Sequence, residues 1–361
     1  MKELFYSNCP VANAFLPAIK LFPDWFARRE VQFSLLPSGN AVTHFAFRHP
    51  AYFRLGGEIP PLLSEGLRDP GLTRLIGLTP CRGPEGIFVR PDSDIQKAAQ
   101  LAGRRIAMTR NAIAVLHNLA GANYLALDPW AQTQMALGSW EARGLINTLA
   151  TAGLSIDEVE IHEVPNPWAA HDLKSAESSA SFAPKDLFFD PASPVGNQQV
   201  AALAEGRVDA IFSFLPYGAE MELKGYGRLL LDLSKLPGNE YTSTWTVSSA
   251  LVESHPEAVQ SVVETVVEMG LWAASHPREI ARAHAENLGV SEAAVWKGFG
   301  ADFHARLVPS LSAEDLAGLD NTQRFLVAHG LIPKPIDLSK WVYDRFLRDA
   351  QGAEPAPADS R

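Results

Sequence analysis

Cysteine is scarce in this 361-residue chain, which holds only Cys9 and Cys81. The two make no CxxC pair and share no metal-ligand spacing, which speaks against a cysteine metal site. Reduced thiols are the simplest reading, with a pairing of the two left open. Long hydrophobic runs are also missing. No stretch approaches the ~20 apolar residues of a membrane span, so no membrane partner is expected. The opening MKELFYSNCP is too short and too polar ahead of Cys9 for the apolar segment of a secretion signal or a lipoprotein leader. The expected location is the cytoplasm. Basic residues are outnumbered: 31 Lys and Arg face 41 Asp and Glu, for a formal net charge of −10. That balance argues against a broad surface for nucleic acid or anionic lipid. An anionic small molecule would need a locally positive pocket. There is no internal repeat and no heptad pattern. His117, His162, His171, His255, His276, His284, His304 and His329 share no ligand spacing. They read as solvated or packing residues, and no metal centre is expected.

What the chain does have is a dense stretch beginning at His44. It places His44, Arg54 and the pair Gly56–Gly57 within fourteen residues. The two glycines leave backbone N–H groups unshielded, and Pro60 and Pro61 suit the first turn of a helix. Unpaired amides at a helix start attract anions. Arg54 adds a forked cation matched to a two-oxygen anion. The stretch therefore reads as a seat for a carboxylate, sulfinate, sulfonate or phosphate. The alternative is a glycine turn beside a surface arginine. Upstream, ELFYS (3–7) reads as a strand broken by AsnCysPro. That break falls at the carboxyl end of a strand, where open α/β sheets bind ligands. Cys9 is thus placed for chemistry, against the alternative of a buried structural thiol.

Around these points the chain alternates. Strands are expected at 31–39 (running into a turn), 72–80, from 85, after the turn in QLAGRRIAM (100–108), and at 159–165. Helices are expected at 11–20, 60–67 and 142–154. QVAALAEGRVDAIFSFLP (199–216) reads as helix, glycine turn and strand. This order implies a parallel α/β architecture. The proline-rich segment 165–198 reads as a lid, anchored by Trp168, Phe182, Phe188 and Phe189. Pro256 opens a helix with Val259, Val262, Val263, Val266 and Val267 on its apolar face. Ser312 and Asp315 start another, reaching Phe325 and Leu326. The tail 351–361 has the composition of a disordered segment.

Two resemblances follow. QLAGRRIAM, ALAEGRVDAIFSFLP and WTVSSALVESHPEAVQSVVETVVEMGLWAASHP resemble phrases of type II periplasmic-binding-protein domains. That implies two lobes with a ligand cleft between them, the first lobe discontinuous (1–92 and 218–350) and the second at 93–217. More narrowly, YSNCPVANA, THF, RLGGEIPPLLSEGL, LALDPW, LGSWEARGL and WTVSSALV resemble the bacterial hydroxybiphenyl-sulfinate desulfinases of dibenzothiophene desulfurisation. The likeness runs from about residue 5 to residue 330. It implies a catalytic Cys9, with His44, Arg54 and Gly57 holding the sulfinate. Ser7 joins the substrate contacts, and Phe45, Trp140 and Phe188 form an aromatic wall. The segment 31–42 is shorter than the family pattern, His49 replaces a neutral polar residue, and the 165–198 segment is longer and different.

The implied reaction is hydrolytic loss of sulfinate from an aryl ring, without metal or organic cofactor, by a monomer. Its partner is a small aromatic sulfinate. Cys9 would either protonate the ring carbon as a thiol or attack sulfur as a thiolate. A free cysteine titrates near about 8.5, so the thiol route is favoured slightly. The competing functional reading is a solute-binding or sensor protein for an aromatic sulfonate or sulfinate.

Overall fold

The computed structural model describes residues 2–8, 21, 24–35, 49–118, 129–164, 198–236, 238–239 and 241–352. The helix expected over 11–20, nearly all of the segment 165–198 and the tail after 352 lie outside them. The described strands form two five-stranded sheets. The first contains β1 (Lys2–Asn8), β2 (Val31–Leu35), β3 (Tyr52–Gly57), β4 (Thr73–Pro80) and β10 (Thr242–Ser248), in the order β2-β1-β3-β10-β4. The second contains β5 (Glu85–Val89), β6 (Arg105–Thr109), β7 (Glu160–Val164), β8 (Ala210–Phe214) and β9 (Arg228–Asp232), in the order β7-β6-β8-β5-β9. Both sheets are mixed, which corrects the parallel arrangement that the alternation of elements implies. In the first, β1 runs parallel to β2 and β3, while β10 inserts antiparallel between β3 and β4. Helices pack around them, giving the expected α/β class.

The lobe boundaries read from the sequence need correcting. They put β5 and β9 in the first lobe, but Ile87 on β5 lies opposite Phe212 on β8 and Leu231 on β9. The chain therefore passes between the sheets at 81–84 and again at 233–241. β5 is an apolar strand buried at Gly86–Val89. A strand covered on both faces reads the same in either sheet, so its composition could not assign it.

Four helices matter for the site: α1 (Ile59–Leu63), α2 (Pro129–Ala150), α3 (Pro256–Ala274) and α4 (Ala313–Ala328). On α3, Val259, Val262, Val263, Val266 and Val267 recur at helical spacing and are all buried. They pack on Leu4, Phe53, Leu55, Trp245 and Val247 from one face of the first sheet. A second cluster joins the sheets. Leu75 and Leu78 of β4 share it with Ile87, Ile106 and Phe212 of the second sheet, through Leu145 of α2 and Leu62 of α1. The two sheets thus close over one continuous core at this contact.

The cap expected at Ser312 is present. Its Oγ accepts the Asp315 N–H at 3.2 Å and donates to Asp315 Oδ2 at 2.8 Å. Ser312→Ala removes an acceptor from the first turn of α4, a change worth about 1 kcal/mol. Thermal melting should show Tm lowered by roughly 2 °C. An unchanged Tm would mean that the turn is held without the hydroxyl.

Candidate active site

β3 carries the sequence YFRLGG, and all six residues are buried. Side chains alternate along it, so Phe53 and Leu55 face α3 while Arg54 faces the other way. Register puts Arg54 opposite Ser7 on β1 and Thr246 on β10. Arg54 is 1% exposed. A guanidinium in that position needs acceptors to offset its lost hydration. Nη1 donates to the Gly57 carbonyl at 2.9 Å and to Thr244 Oγ1 at 3.3 Å. Thr244 Oγ1 in turn donates to the Gly56 carbonyl at 2.9 Å. The arginine and the Gly-Gly strand end are therefore bonded to each other, with the Gly57 carbonyl turned to the cation.

Pro60 and Pro61 stand in the first turn of α1, as the sequence reading expects. The helix is only five residues long and runs into a wider turn over Ser64–Arg68. So short a helix sums few peptide dipoles, and Arg54 supplies the positive charge here. Glu58, at the start of α1, is 0% exposed. Burial pushes its carboxyl up, and the Arg143 guanidinium pulls it back.

Trp140 comes from α2. A side chain at Gly57 would collide with Trp140 Cζ2 and lie 3.0 Å from Tyr241 Oη. Glycine is required there because the indole covers the strand end. Trp140 meets Tyr241 edge-on, with ring centroids 5.8 Å apart, and Tyr241 meets Phe214 at 6.3 Å. The wall thus extends from Trp140 through Tyr241 to Phe214 of the second sheet. Trp140, Tyr241, Phe212 and Asn239 also border a cavity with room for about one water molecule.

Of the residues proposed from sequence, Arg54, Gly57 and Trp140 come together. Ser7 joins them by register only. Cys9, His44, Phe45 and Phe188 lie outside the described residues. β1 ends at Asn8, opposite Leu55, and Cys9 is the next residue in the chain. His49 lies at the opposite end of β3 from Gly57. Its ring meets Phe5 edge-on at 5.0 Å, and its Nδ1 accepts the Ala51 N–H at 3.2 Å. His284 is a packing residue, as expected. Its Nδ1 bonds the Ile280 carbonyl at 2.9 Å, and burial lowers its pKa to about 4.

Sequence reasoning missed Tyr241, Phe214, Glu58, Arg143 and Glu141. Glu58, Arg143, Glu141 and Phe214 fall inside motifs quoted for other reasons, while Tyr241 carried no signal. Glu141 follows Trp140 but turns to the second sheet. It accepts from the Thr109 N–H at 2.8 Å, Thr109 Oγ1 at 2.6 Å and Gln199 Nε2 at 2.7 Å. Desolvation pushes its carboxyl up to about 7, against the pull of these bonds.

The chain is similar to known proteins over nearly its whole length. The NMT1-like family profile matches residues 193–289. The 2'-hydroxybiphenyl-2-sulfinate desulfinase of Rhodococcus erythropolis is 46% identical over 347 residues, covering 96% of this chain and 93% of that one. The chain belongs to the 2'-hydroxybiphenyl-2-sulfinate desulfinase family. Within the desulfinases, a crystal structure of a cysteine-to-serine variant in complex with biphenyl-2-sulfinic acid superposes with a TM-score of 0.84 at 43% identity, covering 97% of this chain and 99% of that one. The periplasmic aliphatic sulphonate binding protein of Escherichia coli shares the fold, with a TM-score of 0.62 at 17% identity, covering 100% of this chain and 95% of that one. The expected type II periplasmic-binding-protein-like architecture is therefore present.

Two outcomes test the packing and the electrostatics. Gly57→Ala forces a methyl into the Trp140 ring, and overpacking of this kind costs about 1–3 kcal/mol. Urea denaturation should show that loss, with part of it recovered in Gly57→Ala/Trp140→Leu. Full additivity of the two changes would separate the residues. The Glu141 pKa is higher folded than unfolded. Its contribution to stability is therefore complete below about 4.5 and is lost as pH rises towards about 7. The Tm of wild type minus that of Glu141→Gln should fall between pH 5 and pH 8. A constant difference would mean that Glu141 does not titrate there.

Proposed function

We propose that this protein is a desulfinase that hydrolyses the aryl C–S bond of 2'-hydroxybiphenyl-2-sulfinate, or a close aryl sulfinate. The products are the 2-hydroxybiphenyl and sulfite. The observation that carries the reading is the buried Arg54 bonded to the Gly57 carbonyl, at a strand end that Trp140 covers, in a chain 46% identical to a desulfinase of that name. The arginine fork suits two sulfinate oxygens. Trp140 and Tyr241 offer flat apolar surface for the rings.

The reaction balances as aryl sulfinate plus water giving arene plus hydrogen sulfite. The ring carbon gains a proton as the C–S bond breaks, and the sulfur takes up the water oxygen. Arg54 steadies the anion throughout, in the manner of an oxyanion clamp. In this reading the Gly57 amide assists the clamp, and Cys9, in its thiol form, delivers the proton. His44 tunes the thiol or bonds a substrate oxygen. Ser7 shares the row of Arg54 and belongs with the contacts. Phe45 and Phe188 complete the wall. A thiol that must stay free fits a reducing, cytoplasmic setting. A monomer acting on a small aromatic sulfinate completes this reading.

Purified protein incubated with 2'-hydroxybiphenyl-2-sulfinate should release sulfite. Cys9→Ser should lose the share expected of a general acid, about 10²–10⁴-fold in kcat. With a thiol as the acid, activity should fall as pH rises through the Cys9 pKa. Substantial turnover by the serine variant would remove Cys9 from the chemistry. Activity increasing into the alkaline range would assign it the thiolate role instead.

A further inference from the structure

Glu58 follows Gly57 directly and has no exposed surface. Its Oε1 accepts from Arg143 Nη1 and from Thr322 Oγ1, each at 3.3 Å, and its Oε2 accepts the Thr242 N–H at 3.3 Å. Arg143 Nη1 also donates to Thr322 Oγ1 at 3.0 Å, and Nη2 donates to the Gly238 carbonyl at 2.6 Å. One ion pair thus touches the end of β3, the start of β10, α2, α4 and the connector that carries the chain back from the second sheet. One turn further along α2, Asn147 Nδ2 donates to Asn239 Oδ1 on the same connector. Trp140 stands one turn before Arg143.

A buried ion pair is a poor source of stability, because desolvation offsets much of the attraction. Apolar residues of similar volume would hold these elements together as firmly. They would not fix their angle, because apolar burial has no direction. Hydrogen bonds do have direction. At this point direction matters, because the Trp140 ring lies against the backbone of Gly57 with no room for a methyl group.

We propose that Glu58 and Arg143 are a positioning pair. They hold the Trp140 wall at a fixed distance from the Arg54–Gly57 seat, and so set the preference for a two-ring sulfinate over a one-ring sulfinate. The inference rests on the desulfinase reading of that seat. Neither side chain needs to touch substrate. A sulfinate fixed at Arg54 can bring its second ring against Trp140 and Tyr241 only if the helix carrying Trp140 stays in register with the strand end. A single ring fixed at the same point reaches less of the wall and loses less when the register loosens. Disruption should therefore act unequally on the two substrates, whereas a loss of folded enzyme acts equally on both.

The test compares kcat/KM for biphenyl-2-sulfinate and benzenesulfinate in wild type, Glu58→Gln and Arg143→Lys, read as sulfite release. A fall of about tenfold in the two-ring to one-ring ratio is expected for Glu58→Gln, with a smaller fall for Arg143→Lys. Because each single change leaves one charge buried, Glu58→Gln/Arg143→Met is included as a variant neutral on both sides. It should melt near wild type and still lose the ratio. A well-folded double variant with the wild-type ratio would overturn the positioning role and leave the desulfinase reading standing. Wild-type protein that releases sulfite from neither substrate would remove that reading, and this inference with it.

Discussion

A cation kept out of water inside a strand of hydrophobic neighbours is the constraint on which this structure turns. Arg54 occupies one face of β3 while Phe53 and Leu55 occupy the other. Such a charge is tolerated only where the fold brings acceptors to it. β10 does so from 190 residues further along the chain, through Thr244. The strand end supplies another acceptor in the Gly57 carbonyl. Once bonded this way, the guanidinium has little freedom to follow a ligand. It acts as a preset feature of the cleft floor, the condition under which an arginine fork is most selective for a planar or bidentate anion.

Glycine at position 57 and tryptophan at position 140 are two halves of one requirement. The indole can rest on the strand only where no side chain projects, and the indole, with Tyr241 beside it, shields the open backbone. The anion seat and the aromatic wall therefore form one assembly. The core shows the same economy. Leu75 and Leu78 belong to the first sheet and Ile87 and Phe212 to the second, yet all lie in one cluster. The binding-protein fold has been kept, with its two sheets sharing an interior beside the cleft.

Much of this was legible in the sequence where the signal is local. The valine spacing on α3 reports burial directly, because helical periodicity fixes which side chains share a face. Ser312 announces α4 by its own hydroxyl, and Pro60 and Pro61 announce α1. Arg54 stood out as a charge between apolar residues and glycines. Features created by distant pairing were not legible. The assignment of β5 and β9 depends on neighbours far along the chain. Glu58 reads as an ordinary surface glutamate until Arg143, 85 residues away, is set beside it. The raised pKa of Glu141 comes from packing that no local pattern encodes. Tyr241 is a single aromatic residue ahead of a strand, with nothing to mark it as a partner of Trp140.

The placement of β10 bears on the order in which the molecule can be made. Every described strand of the second sheet lies between residues 85 and 232, so those strands are all made while synthesis is still under way. In the first sheet the gap between β3 and β4 is filled by residues 242–248. Until they emerge, β3 and β4 have no bridging strand, and Arg54 lacks its threonine partner. Closing a loop of that length delays long-range pairing. The anion seat is therefore a late product of folding. A nascent chain stalled ahead of β10 would present an unfinished sheet edge, the kind of surface that chaperones and aggregation compete for.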